Sequence, residues 1–560
     1  PMFPLRNRIN SAWLLPMLLV LLVMLPRLAS PQFGFFDDAI TLTRSSDFWS
    51  GDWSNLFRGS GRSRPLYWLW YYLLDALSGR QAFWFFVGNL LLLSVATFAL
   101  IQVARALGAT KAQAALAGCL FVASGAVIEN AYTLSKGELI QAVWMLLSLL
   151  AVGRSAPLHE HPTHPVRWSL LSAVCILCAC TSKETSILLL PIAFAWWALA
   201  WLFSRLIRPL PPRFLELRSR FLLAAFLGVG TYLLGSALYL KAGEVQQGYG
   251  SNFIFTLPWI KENARLWLSW LRRDYFYVLP LALLPALDLL YKSLPLASNS
   301  ALRAQTLTRL HRLVEIGVWL SAWLLIYLPW IYAPEYYLLP FGLGVSLLAA
   351  YLVDWNLAGW QTKGKLWRST ASLAFFSSAA LFVLTLPSHW TNLRLQLAVD
   401  AANAEFLQYV VEKLPTDSVL LVNLQPPNEY GDRLVVLVQQ IHGRRDIEVA
   451  PLDLENAPRK LYHGKVIYLA LPIVENQFYP SFRFGAPEHL TRLWNEAARG
   501  YLEQNAQPVF SVRRFFRSFN VNIRYWYCPF TPTWGKCDVP AAPFDRRRFA
   551  YGWDVYRLEP

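Results

Sequence analysis

Apolar residues run along this chain in long windows, and the polar residues collect between them. The windows cover 9–28, 82–104, 112–128, 138–153, 168–182, 185–205, 219–240, 274–291, 313–331, 337–354 and 370–387. A helix needs about 20 mainly apolar residues to cross a bilayer, so the pattern predicts about eleven transmembrane helices. The first window is long, flanked by Arg6 and Arg8, and followed by PRLAS with no convincing cleavage site, so it reads as a retained span. Beyond residue 387 the rhythm changes. A helical stretch from Asp400 to Lys413 leads into a strand-like VLLVNL, a helical RLVVLVQQIHGR, strand-like IEVAPL and KVIYLALP, a helix over APEHLTRLWNEAARGYLEQ and a strand PVFSVRRFF. Strands alternating with helices predict a small α/β layer.

The expected architecture is therefore a polytopic α-helical membrane protein. It has a transmembrane domain over 1–387, interfacial helices in the first outer loop (29–80), and a soluble α/β domain over 388–560.

Composition sharpens this reading. Of 560 residues, 55% are hydrophobic and 15% charged, and the mean hydropathy is +0.32. The net charge of +16 would suit a nucleic-acid binder if it were concentrated on one face. From Ser388 onward, however, Lys+Arg number 20 against 18 Asp+Glu, so almost all of the excess lies between apolar windows. That is the distribution of membrane topology, and it excludes a nucleic-acid partner. With the N-terminus in the cytoplasm, alternating spans place every strongly basic loop inside, from Arg6 and Arg8 to Lys363 through Arg368. An odd number of spans then puts the C-terminal domain outside an inner (plasma) membrane, in the periplasm or extracellular space. Cys528 and Cys537 fall there, where an oxidising compartment permits a disulfide; two free thiols are the alternative. Cys119, Cys175, Cys178 and Cys180 lie in apolar windows and read as small buried hydrophobes.

Polar residues on the outer side are few and concentrated. Asp37 and Asp38 follow the first span closely in an aromatic setting, in FGFFDDAITLTR. Ionisable groups at a membrane boundary are expensive to desolvate and so are functional candidates; an Asp pair ahead of AITLTR also suits a helix N-cap. Phe48, Trp49, Trp53 and Phe57 interleave this loop as in helices lying in the interface. Further outer turns carry Glu129 with Lys136 and Glu138, Lys183 with Glu184, and Glu335 in YAPEYYLLP. A longer loop adds Lys261, Arg265, Arg272 and Arg273. Each cation alone is an ordinary snorkelling side chain. Together, over one cavity, they would suit a substrate with an anionic phosphate and a lipid tail, with cations on the phosphate and a carboxylate as general base. HEHPTH (His159, His161, His164) has metal-like density but falls in a predicted cytoplasmic loop and reads as a solvated turn. Arg546 to Arg548 read as a solvated charge run.

The order of these motifs resembles the GT-C glycosyltransferases, polytopic enzymes that use polyprenyl-phosphate sugars and include protein O-mannosyltransferases and lipid A aminoarabinose transferases. FFDDAI resembles the family's acidic motif in the first outer loop, and SRPLYWLW its basic-Pro-Leu segment. CLFVASGAVIENAYTLSKGELIQAVWMLLSLL is similar to the third and fourth spans with their acidic turn. TSKETSILLLP and APEYYLLP resemble later turns near the donor. The likeness covers roughly Asn10 to Trp355. It implies Asp37 as general base, with Asp38 as second carboxylate or acceptor-orienting group. It implies Arg64, Lys183 and Arg265 on the donor phosphate, and Glu129, Lys136, Glu138, Glu184, Glu335, Tyr336 and Tyr337 around the donor and acceptor. The pair here is Asp-Asp rather than Asp-Glu, so neither sugar nor acceptor carries over. Family members differ in needing a divalent cation; Asp37 and Asp38 offer oxygen ligands of the kind Mg²⁺ or Mn²⁺ prefer, and the sequence leaves the cofactor open.

The implied chemistry is a single inverting displacement. An acceptor hydroxyl on a lipid, polysaccharide or protein, deprotonated by Asp37, attacks the anomeric carbon, and the polyprenyl phosphate leaves as an anion. A flippase for lipid-linked saccharides and a membrane-anchored binding scaffold are the competing readings. A flippase would show inverted repeats and broken helices with midplane charges.

Overall fold

The structure is a computed structural model that describes residues 13–34, 37–54, 63–134, 136–155, 164–206, 212–239, 253–293, 300–330, 335–362, 364–422, 434–451, 464–475, 506–517, 520–521, 544–545 and 548–558. Cys528, Cys537, His159, His161, Arg546, Arg547 and the helix expected over 486–504 lie outside the described residues.

Each of the eleven apolar windows falls on a helix. In chain order the helices are α1 (Leu14–Ala29), α2 (Asp37–Trp49), α3 (Pro65–Ser78), α4 (Ala82–Ala106), α5 (Lys111–Val122), α6 (Gly125–Tyr132), α7 (Glu138–Ser155) and α8 (Pro165–Ser182). They continue with α9 (Leu189–Leu206), α10 (Pro212–Tyr239), α11 (Leu257–Tyr275), α12 (Val278–Ser293), α13 (Ser300–Leu325), α14 (Leu339–Thr362) and α15 (Lys365–Lys413). Short 3₁₀ turns, Glu184–Leu188 and Glu335–Leu338, lead into α9 and α14. Among the described residues seven helices are long and apolar enough to cross a membrane, and α5 with α6 makes an eighth, bent by 58°. α1 and α12 are apolar but shorter. The window over 313–331 forms the end of α13, whose first half carries Arg309, His311 and Arg312, with Glu315 just inside the window. The expected count of about eleven thus merges full spans with shorter apolar helices, because hydropathy windows do not register where a helix begins.

The outward surface fits this reading. Leu18, Leu21, Leu22 and Leu25 of α1 are each more than half exposed, while Val20 and Met24 on the opposite face are fully buried. An exposed leucine stripe has a counterpart in lipid tails. The chain is a polytopic helical membrane protein with a C-terminal domain.

α2 and α3 are the helices expected in the first outer loop. They are joined by the Trp49 indole N–H, which donates to the Tyr72 carbonyl at 3.2 Å. Gly79, left-handed at φ 58°, ends α3 and lets α4 start. The longer outer loop expected to carry Lys261, Arg265, Arg272 and Arg273 is there a 19-residue amphipathic helix, α11, with buried Trp267 and Trp270 on one face and exposed Arg265 on the other.

α15 runs without a break through Pro387, where the soluble domain was expected to begin, and on to Lys413. Its far end packs against a five-stranded sheet. The strands are β1 (Val419–Val422), β2 (Glu448–Pro451), β3 (Ile467–Glu475), β4 (Ala506–Arg517) and β7 (Arg548–Leu558), in the order β2-β1-β3-β7-β4. β1 pairs in parallel with both β2 and β3, whereas β7 lies antiparallel between β3 and β4. A separate two-residue pair joins β5 (Asn520–Val521) and β6 (Phe544–Asp545). The strand β7 was not foreseen, and the stretch RLVVLVQQIHGR contributes a single wide turn of π-helix, Val436–Ile441. Asn403 of α15 accepts hydrogen bonds from Tyr551 and Trp553 at 2.8 Å each, and Phe406 stacks on Trp553 with ring centroids 4.3 Å apart. One helix therefore belongs both to the bundle and to the core under the sheet.

Candidate functional site

The turn after α1 brings the first buried charges together. Arg27 sits in the last turn of an apolar helix and is 1% exposed, so its guanidinium needs partners. It pairs with Asp400 of α15 at 2.7 Å, donates to the Gln32 carbonyl at 3.1 Å, and lies over the Phe86 ring at 4.0 Å. Gln396, one turn earlier in α15, donates to both oxygens of Asp400. Asp38, also buried, accepts the Gly34 N–H on Oδ2 at 2.7 Å. A Cβ at Gly34 would stand 3.4 Å from Asp38 Oδ2 and 3.6 Å from Asp400 Oδ1, so the two carboxylates flank the same backbone. Asp38 thus reaches back to the segment leaving α1, unlike an N-cap, which accepts from N–H groups ahead of it. Asp37 is the first residue of α2, and its side chain lies outside the described set.

Four chain segments far apart in sequence meet in a second group. Arg64 precedes α3, whose first residue is Pro65, a proline placed where its missing N–H costs nothing. The Arg64 guanidinium forks onto both oxygens of Glu184. Lys183, at the end of α8, pairs with Glu138 at 2.6 Å; their side chains are 7% and 0% exposed. Lys183 Nζ also lies 4.8 Å from the centre of the Tyr337 ring, and Lys136 Nζ 4.2 Å from that of Tyr336. Tyr337 stacks parallel on Tyr327 with centroids 4.6 Å apart. Gly137 makes the meeting possible, because a Cβ there would stand 2.8 Å from the Ser182 carbonyl. Gln141 of α7 donates to Thr185 and Ser186, fixing the 3₁₀ turn.

The third group lies under the bend between α5 and α6. Arg273 binds Glu335 and also chelates Asp274 at 2.6 and 2.8 Å, and His389 of α15 meets Asp274 at 3.0 Å. Burial works against ionised Asp274, but the Arg273 charge and the His389 hydrogen bond outweigh it and hold the carboxyl below its ordinary range. Gly125, the first residue of α6, faces Glu335 so closely that a Cβ would overlap the carboxylate. Glu129, half-buried, is one turn further along α6.

The eight-residue helix α6 connects these groups. At one end Gly125 covers Glu335. Asn130 donates to the Tyr336 carbonyl at 3.0 Å, and Tyr132 lies beside Arg27 and bonds the Val23 carbonyl. Of the residues singled out from sequence, Arg64, Lys136, Glu138, Lys183, Glu184, Tyr336 and Tyr337 come together directly, and Glu335 joins them through its neighbours Tyr336 and Tyr337. Arg265 stands apart on the exposed face of α11, two-thirds exposed and paired with Glu262 at 3.3 Å. Arg64 and Lys183, expected as phosphate ligands, each hold a carboxylate. Sequence reasoning missed Arg27, Asp274, His389 and Asp400 and gave Arg273 no partner. Arg27 carried a signal, an arginine inside an apolar run; the others are polar residues that each also meet a partner more than 60 positions away. Among the described residues no three His, Cys, Asp or Glu side chains gather as a metal-ligand set.

No family model matches the chain, and no curated protein matches it. Solved structures it is similar to include ArnT from Cupriavidus metallidurans bound to undecaprenyl phosphate, at 14% identity, with 82% of this chain and 93% of that chain covered and a TM-score of 0.49. The apo oligosaccharyltransferase of Archaeoglobus fulgidus is similar at 9% identity, covering 82% and 69%, with a TM-score of 0.47. The archaeal oligosaccharyltransferase AglB from Archaeoglobus fulgidus, in complex with an inhibitory peptide and a dolichol-phosphate, is similar at 11% identity, covering 82% and 69%, with a TM-score of 0.44. Both kinds of enzyme are GT-C proteins, and the likeness is one of overall fold.

Proposed function

We propose that this chain is a membrane glycosyltransferase that moves a monosaccharide from a polyprenyl phosphate to an acceptor hydroxyl at the extracytoplasmic membrane face. The observation that carries the reading is the convergence of five charged segments, around Arg64, Lys136 to Glu138, Lys183 with Glu184, Arg273 and Glu335, at the sheet end of an apolar bundle. The acidic turn of the first loop joins them through α6. Buried charges are expensive, and a scaffold that needed only stability would gain as much from apolar residues in their place.

In this reading Asp37 takes the acceptor proton as the hydroxyl attacks the anomeric carbon, inverting it. Asp38, fixed by Gly34, orients the helix that carries the base. Arg64 and Lys183 meet the departing phosphate, each already held rigid by its carboxylate, so little reorganisation is needed as charge develops. Tyr336 and Tyr337 line the path of the lipid phosphate. The C-terminal domain and these turns lie outside the membrane, and the basic ends of the helices at Arg105, Lys111, Arg154 and Arg205 lie in the cytoplasm. Removing the base predicts a loss of about 10²–10⁴-fold in transfer for Asp37→Asn, with donor-dependent thermal stabilisation retained. A panel of polyprenyl-phosphate monosaccharides mixed with purified protein reads both quantities, and near-normal turnover of Asp37→Asn sinks the assignment of the base.

One observation favours a second reading. The span made of α5 and α6 is broken, as spans at the binding sites of secondary transporters are. Transport of a labelled lipid-linked saccharide across proteoliposomes, with no sugar transferred to any acceptor, would select it.

A further inference from the structure

The helix that carries the sheet also reaches the acidic turn of the first loop. On α15, His389, Gln396 and Asp400 follow one another at spacings of seven and four residues, which stack on one side of a helix. His389 is anchored on Asp274 at 3.0 Å. Asn403, three residues beyond Asp400, is anchored by Tyr551 and Trp553 at 2.8 Å each. α15 is thus pinned on both sides of Asp400, and it cannot slide or roll there without breaking one anchor or the other.

From that fixed position Asp400 meets the chain between α1 and α2 in two ways. Its Oδ2 accepts from Arg27 Nη2 at 2.7 Å, and the same Nη2 donates to the Gln32 carbonyl at 3.1 Å, so one nitrogen ties α15 to the backbone leaving α1. Its Oδ1 lies 3.6 Å from the place of a Cβ on Gly34, the residue whose N–H is taken by Asp38. Gln396 donates to both Asp400 oxygens, at 3.2 and 3.1 Å, and fixes the rotation of the carboxylate. The arrangement is a poor way to gain stability. The Arg27 and Asp400 side chains are 1% and 2% exposed, and among the described residues Arg27 Nε and Nη1 find no acceptor. Apolar side chains of similar volume would fill this space without the cost of desolvating two charges. They could not hold the Gln32 carbonyl or meet Gly34 with a directional group.

We propose that Asp400 is a positioning residue for the acidic turn: acting through Arg27 and Gly34, it fixes the segment that carries Asp37 and Asp38 against α15. The helix that bears the soluble sheet thereby sets the geometry of the turn at the mouth of the bundle. The consequence for transfer rests on the reading given above, in which Asp37 is the base; the contact itself does not. A base must be held close to the proton it takes, and a misplacement of about 1 Å costs on the order of 10²-fold in rate.

The experiment uses the full chain in nanodiscs and compares it with the double variant Arg27→Met/Asp400→Leu and with Asp400→Asn. A second double variant, Arg218→Met/Glu315→Leu, removes a similarly buried pair between α10 and α13. Backbone hydrogen exchange over residues 30–38 reads how firmly the turn is held, and thermal melting reads stability. Transfer from polyprenyl-phosphate monosaccharides reads kcat and donor KM separately. In Arg27→Met/Asp400→Leu, exchange over 30–38 is expected to rise about tenfold while the melt stays close to that of the unmodified chain. kcat should fall about 10- to 100-fold with donor KM unchanged. Asp400→Asn, which keeps an oxygen for Arg27, should regain most of both the protection and kcat, and that rescue carries the test if the double variant melts low. Unchanged protection in Arg27→Met/Asp400→Leu overturns the proposal, as does an Asp400→Asn chain that exchanges as fast as the double variant. An equal rise over 30–38 in Arg218→Met/Glu315→Leu also overturns it, since that marks general loosening. So does faster exchange with kcat unchanged. If the unmodified chain transfers no sugar, the transfer reading fails by itself, and exchange alone still decides whether Asp400 holds the turn.

Discussion

Single residues carry the tight contacts of this molecule. Gly125 is required because Glu335 fills the space a side chain would take. Gly125→Ala must push the carboxylate off Arg273, and overpacking of this kind costs about 1–3 kcal/mol. A lower melting temperature and reduced transfer are expected. Gly235→Ala in α10, where a Cβ meets nothing within 4 Å, should be neutral or stabilising by thermal melt. Asp274 makes a prediction in pH. Its folded-state carboxyl is held below its unfolded value, so the stability it contributes is fully present above about pH 4 and is lost only as pH falls through the depressed folded value. Asp274→Asn should therefore melt lower than the unmodified chain at pH 5, with the gap narrowing below pH 4. A gap that stayed unchanged down to pH 2 would assign the stabilisation to another group.

Between elements, the Arg27–Asp400 pair joins α1 to α15 across 373 positions of chain. Both side chains are almost wholly enclosed, so removing one leaves an uncompensated charge at a cost of about 3–5 kcal/mol. Arg27→Met and Asp400→Leu should each be strongly destabilising, while the double variant recovers most of the loss. A thermal-melt double-mutant cycle measures this, and additive single effects would show that the two groups act separately. The pair also bears on the acidic turn, since Asp400 and Asp38 flank Gly34. Rescue of stability in the double variant without rescue of transfer would mark Asp400 as a positioning residue for that turn.

At the level of the whole molecule, the bundle and the sheet share one helix. The π-helical turn before β2 also touches α2, where Thr43 donates to Gln440 at 3.3 Å. The sheet is thus braced against the helix that carries Asp37 and Asp38 as well as against α15. Two alanines inserted after Thr391 keep the helix intact but turn everything beyond by about 200°. His389 then stays on Asp274, whereas Asp400 leaves Arg27 and Asn403 carries the sheet to a new side. The expected outcome is a protein that still inserts in the membrane but melts like the Asp400 variants and exposes its sheet to protease. Unchanged protease resistance would mean that the sheet is held by contacts other than α15.

The sequence by itself determined the apolar helices, the amphipathic pair after the first span, most strands of the sheet, and the short polar turns where chemistry was expected. These are local properties. Hydropathy over 20 residues, a period of 3.6 or 2, and a proline at a helix start are all set by neighbours in the chain. The tertiary structure decided which charge meets which. Arg64 faces Glu184 and Lys183 faces Glu138 because Gly137 lets two helix ends touch, and Arg27 finds Asp400 because α15 continues past Pro387 without a break. The hydropathy drop after residue 387 marks the end of an apolar stretch, but a helix can leave an apolar stretch without ending, since its backbone bonds are satisfied within itself. Partners this far apart in sequence leave no periodic trace, so an ion pair under a helix bend becomes visible only once the helices are packed.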